Sequence, residues 1–309
     1  MRFVGVVRVL GDSTLGDPAL ERRMTAAPLQ DILRHLNNAP SRTWSVVITV
    51  FGDAVVPRGG AISLATLTEI FQGMGVAEGA VRTAMSRLSA DGWLERRRQG
   101  RNSFYQLAAK GEATFAEAAA RIYGAQPANS LPRFRLVLAD RGEARAALLQ
   151  AGFGQAQPGL WMAPEGVKVP AAATDAITVL ADASQEDARR LAAQCWPLEE
   201  LAETYRHFVA AFAPLARWLE QGHALAGLDA LVARVLLIHE YRRAVLRHPP
   251  LPRGLLPADW AGDAARSLCA SLYRGLMPAS EAWLDAHAVR AEGPLPAAGA
   301  GLAARFPGP

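Results

Sequence analysis

The clearest chemical signal in the sequence is a helix with hydrogen-bonding side chains along one face. In segment 77–90 the apolar residues recur at the spacing of a single buried helix face. They are Val81, Ala84, Met85 and Leu88. The opposite face carries Arg82, Thr83, Ser86 and Arg87. Arginine can form two hydrogen bonds with the edge of a guanine, and Ser or Thr can bond bases or phosphates. This face therefore predicts contact with DNA.

The segment after this helix predicts a basic β-hairpin. Strand-like residues at 93–98 and 103–107 flank a polar turn at 99–102. The hairpin carries Arg96, Arg97, Arg98, Arg101 and Asn102. Segment 79–110 holds seven basic and two acidic residues, whereas the whole chain has a net charge of only +4. The positive charge is thus local, as an electrostatic footprint for DNA would be.

The elements around these residues follow the order of a winged helix-turn-helix. Helical patterns at 41–55, which Ser41 can cap, and after Ser63 precede the helix at 77–90. In such a motif the second helix of the helix-turn-helix lies in the major groove, and the hairpin meets phosphate or the minor groove. Each feature alone is compatible with a solvated surface. Their order within residues 41–107 favours DNA binding over a protein-contacting winged helix.

The rest of the chain predicts a small α+β unit followed by long helices. Strands are expected at 133–139, 160–162 and 176–180, with helices at 142–151 and 185–194. This order suggests a ferredoxin-like unit whose last strand the pattern does not show. Long helical patterns follow at 198–221, 228–246 and 263–276. From residue 293 the chain is rich in Gly, Ala and Pro, which predicts a disordered tail.

Composition limits the class of protein. At 309 residues and 50% hydrophobic residues, the chain can bury substantial cores. Cys195 and Cys269 lie far apart without metal-ligand neighbours, which fits a reducing cytoplasm better than a disulfide scaffold. No apolar stretch is long enough to span a membrane, and Arg8 interrupts the only apolar run near the start. The sequence therefore predicts a cytoplasmic protein without a membrane anchor.

Three segments resemble the PaaX family of bacterial transcriptional repressors. AVRTAMSRLSADGWL at 80–94 is similar to the family's recognition helix and wing. CWPLEEL at 195–201, which leads to Tyr205 and Phe208, and LLIHEYRR at 236–243, which leads to Arg247 and Trp260, agree with it as well. The resemblance covers about residues 25–290 in order. The second and third segments belong to no generic fold, so the resemblance is specific.

The resemblance implies an architecture and a function. It implies a winged helix at 25–124, a Cas2-like ferredoxin-like domain at 131–196 and a helical domain at 197–292. An extension at 1–24 and the tail at 293–309 lie outside it. It further implies a homodimer, without enzymatic activity or a cofactor. This dimer would repress phenylacetate-catabolism genes until phenylacetyl-CoA binds.

The LLIHEYRR segment suggests where an acyl-CoA effector would bind. Its candidate residues are His239, Tyr241, Arg242, Arg243 and Arg247. Arginines are suited to phosphates, so the three could gather those of a CoA thioester while His239 or Tyr241 orients it. The alternative is a partly buried helix whose polar groups bond one another, and this is favoured for His239 and Glu240. A zinc-protease helix is excluded because Arg stands at 243, where that motif needs His.

A Cas2-like domain raises the rival hypothesis of a metal-dependent nuclease. Asp140, after the first middle strand, stands where such nucleases place a metal-binding carboxylate. One carboxylate per chain is little for Mg²⁺, and Asp140 with Glu143 forms a good helix cap, which is favoured. A third hypothesis is a regulator of the same architecture that responds to a different aryl-CoA. No His/Cys cluster or nucleotide-binding loop is apparent, and no metal site is expected.

Overall fold

Helices dominate the structure, and three small antiparallel sheets accompany them, which makes the protein α+β. The computed structural model describes residues 27–38, 43–125, 133–139, 142–247, 249 and 251–307. The predicted N-terminal extension, the Ser41 cap and Asp140 lie outside these residues. No helix in the described part of the chain has the length and apolar character needed to cross a bilayer.

Five α-helices lie in the described residues of the N-terminal region. They are α1 (Ala27–Asn38), α2 (Thr43–Val50), α3 (Leu64–Gly73), α4 (Glu78–Ala90) and α5 (Ala109–Tyr123). After α2 the chain continues as a π-helical turn, Phe51–Val55, and a short 3-10 segment, Val56–Arg58. The predicted cap of α3 is confirmed, because the Ser63 hydroxyl accepts a 3.0 Å hydrogen bond from the Thr66 amide.

A three-stranded antiparallel sheet packs beside these helices. Its strands are β1 (Ala61–Ser63), β2 (Leu94–Gln99) and β3 (Asn102–Leu107), in the order β1-β3-β2. The predicted hairpin is confirmed as β2 and β3, which pair from Leu94↔Leu107 to Gln99↔Asn102. Gly100 closes its turn at φ +59°, a left-handed conformation that glycine adopts without steric cost.

The middle region contains a four-stranded antiparallel sheet. Its elements are β4 (Phe134–Leu138), α6 (Gly142–Gln150), β5 (Gly154–Gln157), β6 (Leu160–Pro164), β7 (Ile177–Ala181) and α7 (Gln185–Cys195). The strand order is β5-β6-β4-β7. β5 has no counterpart in the sequence prediction. The last strand expected after the helix at 185–194 is not found there, because the described chain passes from α7 to a further helix that begins at Leu198. A small core of its own, which includes Val137, Leu148, Phe153 and Trp161, lies under α6.

Three long helices form the C-terminal region: α8 (Leu198–Glu220), α9 (Gly227–Arg247) and α10 (Ala261–His287). Twelve of the 21 residues of α9 are buried, so the helix is enclosed on most sides. It contacts α8 and α10, and also α2, α3 and α5 of the N-terminal region. The core is continuous between the two regions. The N-terminal helices therefore rest directly on the C-terminal ones.

A buried ionic cluster, which we call the Asp53 cluster, joins the same two regions. The Asp53 carboxylate accepts hydrogen bonds from Tyr123 (2.8 Å), Tyr273 (2.9 Å) and Arg305 (2.9 Å). Its second oxygen lies 2.7 Å from Arg234 Nε, as an ion pair without hydrogen-bond geometry. Asp53 and Arg234 are fully buried. The carboxylate is thus shared by groups from four distant parts of the sequence.

The C-terminal tail differs from the disordered segment that its composition predicts. Residues 293–307 follow β8 (Val289–Arg290) and include β9 (Gly293–Pro294) and the short α11 (Ala300–Ala303). Leu295, Leu302 and Phe306 are buried, and the Phe306 amide donates a 2.8 Å hydrogen bond to the Tyr123 carbonyl. Three apolar side chains spaced among Gly, Ala and Pro are enough to hold the tail, although they show no periodicity. The prediction of disorder is wrong for these residues.

Candidate nucleic-acid interface

Helix α4 presents the predicted face to solvent. Its four apolar residues are buried, as their spacing predicts, and Arg82, Thr83, Ser86 and Arg87 are all exposed. The helix ends at Asp91, and Gly92 at φ +72° turns the chain into the hairpin. The prediction that these four side chains share an exposed face is confirmed.

The two arginines of α4 already have local partners. Arg82 Nε donates a 3.0 Å hydrogen bond to Glu78 one turn earlier. Arg87 lies 3.7 Å from the Asp91 carboxylate and 5.9 Å from the ring centre of Trp44 on α2. All the charged groups in these pairs are well exposed, so the pairs are weak and can exchange for a base edge or a phosphate. They hold the guanidinium groups at the surface of the helix.

The basic residues of the β2–β3 hairpin divide between its two faces. Successive side chains of a strand point to opposite faces, so Arg96 and Arg98 lie on one face and Arg97 on the other. Arg96 donates hydrogen bonds of 3.2 and 2.8 Å to the Ser103 hydroxyl. Arg98 donates to the Gly100 carbonyl at 3.3 Å. Both remain exposed, as do Arg101 and Asn102 at the turn.

Arg97 makes a contact that the sequence does not reveal. Its Nη1 donates a 2.9 Å hydrogen bond to the carboxylate of Glu292, between β8 and β9 near the C-terminus. The two side chains are 70% and 52% exposed. A carboxylate near the end of the chain therefore forms an ion pair with one of the hairpin arginines.

The candidate effector residues do not converge on one site. His239 is buried, and its Nδ1 lies 3.0 Å from the Thr49 hydroxyl. Burial, together with the nearby charges of Arg242 and Arg243, lowers the pKa of His239 to about 3. Arg242 points inward and donates to the Ser45 carbonyl at 2.8 Å. Arg243 pairs with Glu240 at 3.0 Å, and Arg247 is exposed at the end of α9.

The sequence is similar to two protein-family models and to one known protein. A family model described as PaaX-like protein matches residues 42–111, which contain α2 to β3. A second, described as PaaX-like protein C-terminal domain, matches residues 196–286. The chain is also 34% identical over 301 residues to the transcriptional repressor PaaX of Escherichia coli (strain K12), which covers 91% of this chain and 95% of the relative. The chain belongs to the PaaX family. The family resemblance of the three sequence segments is thereby confirmed.

Two cavities flank α9 in this PaaX-family protein. Each is lined by one of the candidate effector residues, Tyr241 in the first and Arg242 in the second. We call the first the tyrosine groove, a cavity of about 290 Å³ whose lining includes Arg121, Tyr205, Tyr241, Arg253, Trp260 and Arg266. The second is the tryptophan cavity, of about 220 Å³, whose lining includes Trp44, Trp93, Phe115, Tyr123, Ile238 and Arg242. Neighbouring residues on a helix point about 100° apart, which explains why Tyr241 and Arg242 enter different cavities.

The sequence analysis missed the arginines of the tyrosine groove. Arg121 donates to the Val245 carbonyl at 2.7 Å, and Arg253 donates to the Asp263 carboxylate at 2.7 Å. Arg266 lies 5.5 Å from the Phe306 ring centre. These residues come from α5, the loop before α10, and α10. Their separation in sequence leaves no local pattern that could have grouped them. Within the described residues, no group of three or more His, Cys, Asp or Glu side chains could hold a metal ion.

Proposed function

We propose that this protein is a transcriptional repressor that binds operator DNA through α4 and the β2–β3 hairpin. In this proposal α2 to β3 form a winged helix-turn-helix, with α4 in the major groove and the hairpin as the wing. The observation that carries the proposal is the cluster of exposed arginines on α4 and the hairpin, within segment 79–110, whose seven basic and two acidic residues give a larger net charge than the +4 of the whole chain. The repressor title of the Escherichia coli relative supports it.

The proposed target is the set of genes for phenylacetate catabolism, and the proposed effector is phenylacetyl-CoA, which would release the operator. Both follow from family membership and from the resemblance of the LLIHEYRR segment. Such a ligand acts only through a difference in affinity between the operator-binding state and another state. A hundredfold release requires about 2.7 kcal/mol of coupling, which lies within the usual allosteric range. A protein with this role works in the cytoplasm, where the chromosome lies.

The proposed assembly is a homodimer on an inverted repeat, because one winged helix reads only a short half-site. The middle region offers a surface for it. Its strand order β5-β6-β4-β7 is that of a ferredoxin-like sheet, with the 3-10 turn Ala171–Ala173 in place of the second helix. At its edge, Leu138 lies opposite Ile177 on one sheet face, and Val179 is next on that face. These side chains are 47%, 67% and 47% exposed, which is unusual for an edge strand of a monomer.

A triple variant of the hairpin tests the DNA-binding proposal. Each phosphate neutralised contributes about 0.9 to the slope of log affinity against log salt. Replacing Arg96, Arg97 and Arg98 with Ala should therefore reduce the slope by up to about 2.7 for each bound subunit, or about 5.4 for a dimer, and weaken binding to every DNA sequence. Fluorescence anisotropy with promoter DNA of phenylacetate-catabolism genes, between 50 and 200 mM salt, measures both.

The matched control removes three exposed arginines from α7 and α8: Arg190→Ala, Arg206→Ala and Arg217→Ala. It changes the net charge equally but lies outside the proposed interface, so it should keep the wild-type slope. An equal loss in both triple variants would mean that binding follows net charge alone. An unchanged slope in the hairpin variant would remove the hairpin from the interface.

Sedimentation tests the dimer. Ile177→Glu places a charge in the exposed apolar edge and should convert a dimer to a monomer with weaker operator binding. Leu149→Glu makes the same kind of change on α6, where Leu149 is 54% exposed, and should leave the dimer intact. A wild-type monomer that binds the operator at 1:1 would overturn the dimer proposal.

A further inference from the structure

The tryptophan cavity lies where the N-terminal region meets the C-terminal region. Trp44 comes from α2, Phe115 and Tyr123 from α5, Trp93 from the segment between α4 and β2, and Arg242 from α9. The lining is mainly aromatic and aliphatic, with few polar groups. A site of this composition, formed between two regions, is typical of a small-molecule site.

The volume of the cavity limits what it can hold. An engineered apolar cavity of about 150 Å³ takes up a benzene molecule. The tryptophan cavity measures about 220 Å³, so it has room for one six-membered ring and a short substituent. A nucleotide would not fit inside. A larger molecule could enter only with a terminal single-ring group.

Two buried donors in this lining are unsatisfied within the described residues. They are the indole Nε1 of Trp44 and the Nε of Arg242, neither of which has a hydrogen-bond partner there. An unsatisfied buried donor is unfavourable, so a ligand that moves these side chains and supplies an acceptor oxygen would recover part of this cost. Arg242 bonds only the Ser45 carbonyl and hydroxyl among the described groups, without a carboxylate within ion-pair distance.

Asp53, the one carboxylate among the described residues that line the cavity, is already paired with other groups. Asp53 is held by Arg234, Arg305 and two tyrosine hydroxyls in the Asp53 cluster. Burial is the main cause that lowers the pKa of Arg242. An oxygen with partial or full negative charge is therefore the group that this end of the cavity can best accept.

The cavity also touches the proposed DNA-binding face. The ring of Trp44 that lines the cavity has the guanidinium of Arg87 5.9 Å from its centre. Trp93, on the opposite side, is bonded through its amide to the Leu88 carbonyl at the end of α4. A change in either tryptophan is thus passed to α4 through one contact.

From this geometry we infer that the tryptophan cavity binds an aryl-acyl group, a single aromatic ring carrying a carbonyl or carboxyl oxygen that accepts from Arg242 and Trp44. The inference rests on the proposed function, because it assigns a place to the part of the effector that distinguishes one acyl-CoA from another. Ligand in the cavity moves Trp44 and, with it, Arg87 on α4. Operator affinity is then lower in the liganded state.

The test fills the cavity. Ala118 lines it, and Ala118→Leu should occupy the space of the ring. Ala116→Leu makes the same change on the exposed side of α5, and Ala125→Leu makes it in the tyrosine groove. Titration calorimetry on the full-length proteins uses phenylacetyl-CoA, phenylacetate and CoA. Anisotropy with promoter DNA measures release, and thermal unfolding without ligand verifies that each variant is folded.

We expect Ala118→Leu to bind the aryl ligand at least tenfold more weakly and to need correspondingly more of it for release. Ala116→Leu and Ala125→Leu should match the wild type. The difference between phenylacetyl-CoA and phenylacetate shows whether the free acid or the thioester is the source of the acyl group. Loss of binding in Ala125→Leu, with Ala118→Leu unchanged, would overturn the inference while the repressor function stands.

Arg242→Leu and Arg243→Leu provide a second, independent comparison. The two arginines are adjacent in sequence, but only Arg242 lines the cavity. We expect Arg242→Leu to weaken ligand binding at least tenfold more than Arg243→Leu does. Equal losses would favour a cluster of arginines along α9 instead. A wild-type protein that binds the operator but none of the three ligands would remove the effector and this site together, whereas ligand binding without operator binding would reject only the repressor function.

Discussion

Two groups of arginines in this protein have opposite environments. Those of α4 and the β2–β3 hairpin are exposed and held by weak, exchangeable partners. Arg58 and Arg234 are buried, and Glu281 bridges them with one carboxylate oxygen to each. Arg305 is 9% exposed and bonds Asp53. The same residue type thus forms an exposed basic surface in one part of the protein and fixes two regions to each other in another.

The difference follows from the cost of burying charge. A buried guanidinium must be paired and hydrogen-bonded, because its desolvation costs several kcal/mol. Arg58 satisfies this with Glu281, Asp285 and the Pro296 carbonyl. Exposed arginines carry no such requirement and remain available to phosphate. Charge counts along the sequence therefore find the proposed DNA-binding surface because its arginines are local and exposed.

Removal of the central carboxylate should have the largest effect. Asp53→Ala removes the carboxylate that faces the buried Arg234. Loss of one partner of a buried ion pair lowers the free energy of unfolding by about 3–5 kcal/mol. Urea unfolding should show a loss of this size. Asp31→Ala is the matched control, since Asp31 pairs with Arg34 at the surface and should cost less than about 1 kcal/mol. Similar losses in both variants would show that burial does not distinguish the two kinds of pair.

Lowering the pH should reduce the free energy of unfolding by a smaller amount, through His239. The pKa of His239 falls to about 3 in the fold, whereas an unfolded histidine titrates near 6.5. Below pH 6.5 the unfolded chain binds a proton that the native protein does not, so stability decreases as the pH falls. The slope attributable to His239 approaches about 1.4 kcal/mol per pH unit between pH 6 and 4. Urea unfolding of wild type and His239→Gln across this range measures it. An identical pH dependence would show that His239 titrates alike in the native and unfolded states.

The sequence predicts the exposed arginine surface better than the buried one, for a physical reason. The face of α4, the Ser63 cap and the hairpin are local patterns, with partners within a few residues. The Asp53–Arg234 pair spans 181 positions, and nothing near Asp53 indicates its partner. β1 has only three residues, too few to show an alternating pattern, and it is defined by its pairing with β3. The tail likewise depends on distant contacts of Phe306.

The candidate effector site shows the same limit. The sequence places Tyr241, Arg242 and Arg243 side by side, but the helical turn sends them in different directions. Only the packing of α2 and α5 against α9 reveals that Arg242 lines the tryptophan cavity with Trp44. Proximity on a helix therefore does not show which residues share a cavity.

On the exposed side, single arginines of α4 should separate specificity from affinity. Arg82→Ala removes a side chain that can bond a guanine edge, so discrimination at one base pair should fall by about 1–3 kcal/mol. Competition binding with operators altered one base pair at a time measures it. Glu78→Gln, which frees Arg82 from its partner, should keep the discrimination. A uniform loss on all operators would make Arg82 a phosphate contact instead.

The smallest expected effect concerns Arg97, the hairpin arginine that pairs with the distant Glu292. Glu292 must release Arg97 before a phosphate can bind it, and an exposed pair of this kind is worth about 0–1 kcal/mol. Glu292→Gln should therefore raise operator affinity by up to about fivefold, most clearly at low salt, where exposed charges are less screened. Glu186→Gln, a change of the same charge on α7, should raise it less, because Glu186 lies on another element, outside the proposed interface. Anisotropy titrations of both variants against one operator at 50 and 200 mM salt compare them. If the two affinities rise equally, Glu292 acts only through net charge, and Arg97 is as available as Arg96 and Arg98.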